Sequence, residues 1–522
     1  MPVVRVESGA LLGSEDSGIC SFKGVPYAEP VGAAARWLPP VPRKPWSGMR
    51  DAVLDGPACA QFAARAGIAL PGLRRKYFDA AGGNSFVREG DDCLLLDICT
   101  PSPERGARLP VMVYFHGGGF TGGGATFYPG RNFAARNVVY VAVQYRLGPP
   151  GFLHGSGLFD GDFCADNRAF LDQLQALKWV QENIAAFGGD AGNVTIFGES
   201  AGAFSVFQLC ASPLGKGLFR RAIAMGGMPF TSAPAQDYHR LTADLLSAAG
   251  VKPGDKQALI AMDLPALRRL QGAITRTVFS RAAAERYGIL GWSKVGFVGA
   301  AIGSGFLDAS ALTALRRGTP NNIDLLLGTC ADDGQLFSLF LPFSRTLSAR
   351  MFMNNLAGLA PGGDLAALIE RYRALLPRLP RSQLYDKLNN DLFYRIPTIV
   401  AAEAHAAAHA GRTWHYELDL QSGIAGLRAI HGIDVGLLFG SECAASALLP
   451  AGDAAADVSK KMLDCWVSFA TTGRPSAAGM PAWNAYDSAT RTSMVFDRDT
   501  RSEQDRGSDL RRLWDGYRWE RL

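Results

Sequence analysis

A serine hydroxyl becomes a useful nucleophile only with three aids: a base for its proton, donors for the oxyanion, and a turn that lifts it clear of its neighbours. Gly198-Glu199-Ser200-Ala201-Gly202 offers such a turn. It stands between an apolar β-branched stretch, Val194 to Phe197, and an apolar helical stretch, so Ser200 would sit at the apex of a strand-to-helix elbow. As a bare pentapeptide the pattern arises by chance; its place between strand and helix raises it above an ordinary turn. A second segment, His116-Gly117-Gly118-Gly119-Phe120, follows the apolar run Leu109 to Phe115. Consecutive glycines let the backbone approach a reacting group and point several N–H groups into one space. For acyl transfer that space would hold the oxyanion; a flexible turn or a phosphate nest is the plainer alternative. The Gly-Lys-Ser/Thr of a nucleotide-phosphate loop is absent from this segment.

The base must come from seven histidines. His431 lies in the loop-like RAIHGIDVGLLFG, downstream of the elbow. His415 falls inside a strand pattern and reads as a packed side chain. His405 and His409, four apart in EAHAAAHAG, read as a solvated helix face without a third ligand nearby. No cysteine–histidine cluster has zinc spacing, so neither a metal nor a cofactor is expected. Glu199, beside the serine, could favour a cationic substrate group or orient water; a carboxylate bonded to neighbouring backbone is the equal alternative.

These residues need rigid elements to hold them. Leu109–Phe115, Val138–Tyr145 and Val194–Phe197 read as buried strands. Further strands are predicted at Arg221–Met225, Ile323–Gly328, Thr413–Leu418 and Ser493–Asp497. Phe170, Leu174, Leu177, Val180 and Ile184 recur at steps of three and four, predicting a helix with Asp166 as N-cap and a glycine stop at Gly188. Strands alternating with helices argue for an α/β fold with a mostly parallel sheet. Residues from about 234 to 317 and 348 to 410 are helical in pattern. No Pro-, Ser- or charge-rich linker divides the chain, so 1–522 reads as a single catalytic domain with two helical insertions.

Composition narrows the function classes. Hydrophobic residues at 48% and charged residues at 19% exclude a disordered chain. The net charge of +5 comes from scattered basic residues, which argues against a nucleic-acid partner. No apolar run reaches the roughly 18 residues of a membrane helix, and the N-terminus lacks a signal-peptide pattern, so a cytoplasmic protein is expected. Nine cysteines spread through the chain do not make a disulfide scaffold. Oligomeric state is not legible at this level.

Read in order, these motifs resemble the type-B carboxylesterases of the α/β-hydrolase fold, which include the cholinesterases. The resemblance runs from Phe22-Lys23-Gly24-Val25-Pro26-Tyr27-Ala28 through Asp91-Asp92-Cys93-Leu94 and the HGGGF segment to Gln144-Tyr145-Arg146-Leu147-Gly148. It continues through Asp172-Gln173, Phe187-Gly188-Gly189-Asp190 and the Ser200 elbow to Asp332-Asp333-Gly334, His431-Gly432 and Phe439-Gly440. It implies a serine hydrolase that cleaves small-molecule carboxylic esters through an acyl-serine. Ser200 would be the nucleophile, His431 the general base and Asp333 the acid, with Asp332 as the competing acid. Backbone N–H groups of Gly118, Gly119 and Ala201 would form the oxyanion hole. It also matches Cys59 and Cys93 to positions that form a disulfide in the family, which would contribute roughly 4 kcal/mol in a chain-entropy account and need not form in a reducing cytoplasm. Two positions depart from the family: Asp333 replaces the usual glutamate, and Gly226 stands where many members have a serine bonded to the acid. An acyltransferase or cyclase, an amide or carbamate hydrolase, and a non-catalytic binding protein on the same scaffold are the alternatives.

Overall fold

The structure, a computed structural model, describes residues 1–62, 72–82, 88–252, 254–278, 283–288, 290, 298–319, 322–340, 365–409, 411–517 and 519. Among the described residues its frame is an eleven-stranded sheet: β1 (Ser14–Asp16), β2 (Ile19–Pro26), β3 (Leu95–Thr100), β4 (Leu109–Phe115), β5 (Val139–Val143), β6 (Gly189–Glu199), β7 (Arg221–Met225), β8 (Asp324–Cys330), β9 (Thr413–Leu418), β10 (Thr492–Phe496) and β11 (Arg501–Gln504). The spatial order is β11-β10-β9-β8-β7-β6-β4-β5-β3-β2-β1. From β10 to β5 neighbouring strands are parallel; β11 and the β3-β2-β1 edge add antiparallel pairs. The central strands are apolar along their length because helices cover both faces: all five residues of β5 and of β7 are buried. The chain therefore has the mixed, helix-flanked sheet of the α/β-hydrolase fold.

The helices that bear on the site are α1 (Leu73–Ala80), α2 (Arg168–Asn183), α3 (Ala201–Ala211), α4 (Leu264–Val278), α5 (Arg381–Asn390), α6 (Ile396–Ala408) and α7 (Ile433–Phe439). The predicted face of α2 is buried, and Gly188 at φ +83° ends the short 3-10 turn that follows it. The cap was misread. Asn167, in a left-handed conformation, precedes the helix, and Asp166 instead pairs with His239 Nε2 at 2.9 Å. One turn into α2, Asp172 receives a fully buried bidentate pair from Arg146, with Nη2–Oδ1 at 2.7 Å and Nε–Oδ2 at 2.8 Å. Arg146 also donates from Nη1 to the carbonyls of Leu38 and Arg36. This pins the N-terminal segment to the centre of the sheet.

Of the stretch at 234–317, the described residues are mostly helical but include a short parallel pair, Ser232–Pro234 with Ala300–Ile302, that the pattern did not suggest. Residues 348–364 of the other helical stretch lie outside the described residues. In the remainder, α5 and α6 are joined by a π-helical turn, Asp391–Arg395. The solvated reading of His405 is overturned. Its side chain is fully buried in α6, with Nδ1 2.7 Å from Thr413 Oγ1 on β9. Alanines on either side of it carry little hydrophobic contrast and conceal the buried face. Among the described residues, no helix is long and apolar enough to cross a membrane.

Candidate active site

The site lies at the C-terminal ends of β4, β6 and β8, beside the segment that follows β9. β6 runs out of the sheet into Ser200, whose φ of +56° and ψ of −121° hold it in a strained turn before α3. The neighbouring strand makes this elbow possible only with glycines. A Cβ at Gly202 would stand 1.9 Å from the Phe115 carbonyl oxygen, and one at Gly198 would stand 2.5 Å from the Gly202 carbonyl carbon. The Ser200 N–H donates to the Met225 carbonyl at 3.0 Å, fixing the elbow to β7.

The glycine loop after β4 curls over the elbow. A Cβ at Gly117 would lie 3.3 Å from Ser200 Cβ and 2.7 Å from Glu199 Oε2. Gly118 and Gly119 have φ of +108° and +60°, and both are exposed. Among the described residues, neither N–H is taken by a backbone carbonyl. Ala201 is the first residue of α3, so the helix leaves its N–H unpaired as well. Gly117 and the start of α3 border the serine.

His431 and Asp333, 98 residues apart in sequence, meet through a 2.8 Å Nδ1–Oδ1 hydrogen bond. Asp333 is fully buried, and its second oxygen accepts the Cys330 N–H at 2.9 Å. Asp332, the competing acid, faces away: its carboxylate pairs with Arg428 at 3.1 Å and its N–H donates to the Ala429 carbonyl. The Asp333–His431 pair leaves little room at position 226. Gly226 has a φ of +57°, and a Cβ there would meet His431 Cε1 at 3.2 Å, Nδ1 at 3.3 Å and Asp333 Oδ1 at 3.6 Å.

The other imidazole nitrogen, Nε2, lies 3.1 Å from Glu199 Oε1. The alignment does not make a hydrogen bond, and Nε2 has no hydrogen-bond partner among the described residues, Ser200 included. Burial pushes Glu199 up to about 8, against the pull of His431. Burial lowers the affinity of His431 for a proton, but the carboxylates of Glu199 and Asp333 outweigh it and raise the pKa. The rise on His431 presupposes an anionic Glu199, whereas a raised Glu199 keeps its proton at neutral pH. The two groups therefore share a proton, and a neutral imidazole goes with a neutral Glu199. Glu199 lies above the usual carboxylate range because its carboxylate loses most of its hydration and faces the further carboxylates of Asp434 and Asp333. By contrast, burial pushes His116 to about 4, His415 to about 4 and His405 to about 3, which favours their neutral forms.

Further side chains surround His431. Tyr77 Oη, on α1, donates to the His431 carbonyl at 3.0 Å. The π-helical turn brings the Tyr394 ring to 5.1 Å from the imidazole. Asp434, two residues into α7, is buried nearby with its carboxylate accepting from Tyr416 Oη and the Val435 N–H. Cys59 and Cys93 are free thiols here, with Cys59 Sγ 3.7 Å from the Cys93 carbonyl. Of the aromatics between them, Phe62 packs against Gly148 as core, and Phe86 lies outside the described residues.

Residues 1–512 match the family model described as "Carboxylesterase family". The chain is 32% identical over 520 residues to the para-nitrobenzyl esterase of Bacillus subtilis (strain 168), covering 98% of this chain and 97% of that protein. It is 30% identical to mouse (Mus musculus) carboxylesterase 1D, covering 93% and 88%. A crystal structure of a Geobacillus stearothermophilus carboxylesterase superposes with a TM-score of 0.82 at 29% identity, covering 98% of this chain and all of that one. A solved thermophilic para-nitrobenzyl esterase gives 0.81 at 30% identity, covering 98% and 99%.

Proposed function

The chain belongs to the carboxylesterase family and hydrolyses carboxylic esters as a serine hydrolase, and on that premise we propose that Ser200, His431 and Asp333 form its catalytic triad. His431 Nε2 takes the Ser200 hydroxyl proton as Oγ attacks the ester carbonyl carbon. The carbonyl oxygen becomes an oxyanion held by the N–H groups of Gly118, Gly119 and Ala201, and the N-terminus of α3 adds favourable electrostatics. Asp333 holds the Nδ1–H tautomer and stabilises the imidazolium without taking the proton. The imidazolium then protonates the departing alcohol. Water repeats the sequence on the acyl-serine, releasing the acid and restoring the hydroxyl. The observation that carries this reading is the buried Asp333–His431 hydrogen bond set behind an elbow serine.

Glu199 belongs to this machinery through His431. Its protonated form leaves the imidazole neutral and able to act as base. The helical stretches at about 234–317 and 348–410 act, in this reading, as insertions into one catalytic domain. Contacts such as Arg268 with Glu89, and Thr398 Oγ1 with the Gly227 carbonyl, support that assignment. Small-molecule esters are the proposed substrates.

Turnover of p-nitrophenyl esters from acetate to octanoate, by wild type and Ser200→Ala, tests the assignment. The variant should lose at least about 10³-fold in kcat. Retained activity would remove Ser200 from the mechanism. Products formed with competing alcohols separate hydrolysis from acyl transfer.

A further inference from the structure

We propose that Gln61 is a positioning residue that sets the oxyanion hole, clamping the glycine loop by pairing with Gly123; this rests on the oxyanion-hole reading above. The loop has few devices of its own. Gly118, Gly119, Phe120 and Gly123 all have positive φ, so regular secondary structure does not hold them. The loop instead folds back on itself. The N–H groups of Thr121 and Gly122 donate to the Gly118 carbonyl at 3.2 and 3.1 Å, and a Cβ at Gly123 would stand 2.7 Å from the Gly117 carbonyl oxygen. Whatever fixes Gly123 therefore fixes Gly117 and Gly118.

Gln61 grips that peptide at both ends. Its Oε1 accepts the Gly123 N–H at 2.9 Å and its Nε2 donates to the Gly123 carbonyl at 2.9 Å. Nε2 also donates to the Cys59 carbonyl at 2.7 Å. The amide orientation follows from its neighbours: turned over, its oxygen would face two carbonyls. The Gln61 backbone is anchored in turn. Its N–H donates to Glu89 Oε2 at 3.0 Å, and Arg268 on α4 donates from Nε to its carbonyl at 3.0 Å. Arg268 Nη2 also holds both Glu89 oxygens, at 3.1 and 2.9 Å. One residue on, the Phe62 N–H donates to the Thr121 carbonyl at 2.6 Å. None of these groups touches the reacting atoms. They act by fixing where the Gly118 and Gly119 N–H groups point.

The test compares a trifluoromethyl ketone with the methyl ketone of the same chain length. Ser200 Oγ adds to the activated carbonyl carbon, its proton passes to His431, and the carbonyl oxygen becomes an anion in the hole. The methyl ketone adds too weakly to form that anion. The ratio of the two inhibition constants therefore reads the hole per active site, whatever fraction of a preparation is folded. Gln61→Met keeps the volume and loses all three side-chain bonds; Gln61→Ala is the second variant. Both should shrink the ratio and lower kcat by about 10- to 100-fold, with KM changing far less. A wild-type ratio near one would overturn the oxyanion-hole reading itself. A large wild-type ratio that persists in both variants would overturn the role of Gln61 alone.

Discussion

Gly226 lies directly against His431: a side-chain carbon added to it would stand 3.2 Å from Cε1 and 3.3 Å from Nδ1 of the imidazole. The hydrogen bond between His431 and the short Asp333 occupies the space that a side chain at 226 would take. Glycine at 226 and aspartate at 333 are thus two parts of one packing solution. Gly226→Ser should displace the imidazole, helped by the strain of a φ of +57°, and lower kcat by about tenfold or more. Turnover per titrated active site checks this, and an unchanged value would show that the imidazole yields without cost.

Asp333→Asn keeps the shape behind His431 but no longer stabilises the imidazolium or enforces the Nδ1–H tautomer. Turnover should fall by about 10⁴-fold. Asp332→Asn, which removes the partner of Arg428 rather than of His431, should cost far less turnover. Reversed magnitudes would transfer the acid role to Asp332.

The pH dependence turns on Glu199. The base is neutral imidazole, so activity is lost as pH falls through the His431 pKa. Burial lowers that pKa, and the charges of Glu199 and then Asp333 raise it by more. Asp434 faces the same imidazole. The proton shared with Glu199 rests on the imidazole only while Glu199 is a carboxylate; Glu199→Gln abolishes that arrangement, so the acid limb of the kcat/KM profile should move to lower pH. An unmoved or alkaline-shifted limb would separate Glu199 from the proton on His431.

The Arg146–Asp172 pair gives a prediction about stability alone. Asp172→Ala leaves a guanidinium buried beside carbonyls with no counter-charge, at a cost of about 3–5 kcal/mol. Urea unfolding of the variant measures it; a loss below about 1 kcal/mol would mean that water reaches Arg146.

Much of the site was legible because its determinants are local. The elbow needs two glycines and a serine within five residues, and the buried strands on either side announce themselves as unbroken apolar runs. β4, β7 and β9 appear where those runs lie. Long-range partnerships were not legible. Asp166 has the residue type of a helix cap, but a histidine 73 positions away claims it. The antiparallel edge strands β1 to β3 are broken by polar residues such as Lys23 and Asp97, and a register shift between Phe22 and Val25 blurs their alternation. Gln61 and Tyr394 act through contacts with residues far along the chain, which no spacing rule foretells. His405 was misread because an alanine-rich helix shows no contrast between its faces.

The bond from Arg268 on α4 to the Gln61 carbonyl ties a helix outside the central sheet to the glycine loop. Stability varies across a fold, and peripheral helices open more easily than a central parallel sheet. Opening of α4 would release the loop while the sheet stayed intact. On heating, this enzyme should therefore fall silent in a reversible, sub-global step before its tryptophans report unfolding. Engineering for heat tolerance would then start at that peripheral seam and leave the already dense centre alone.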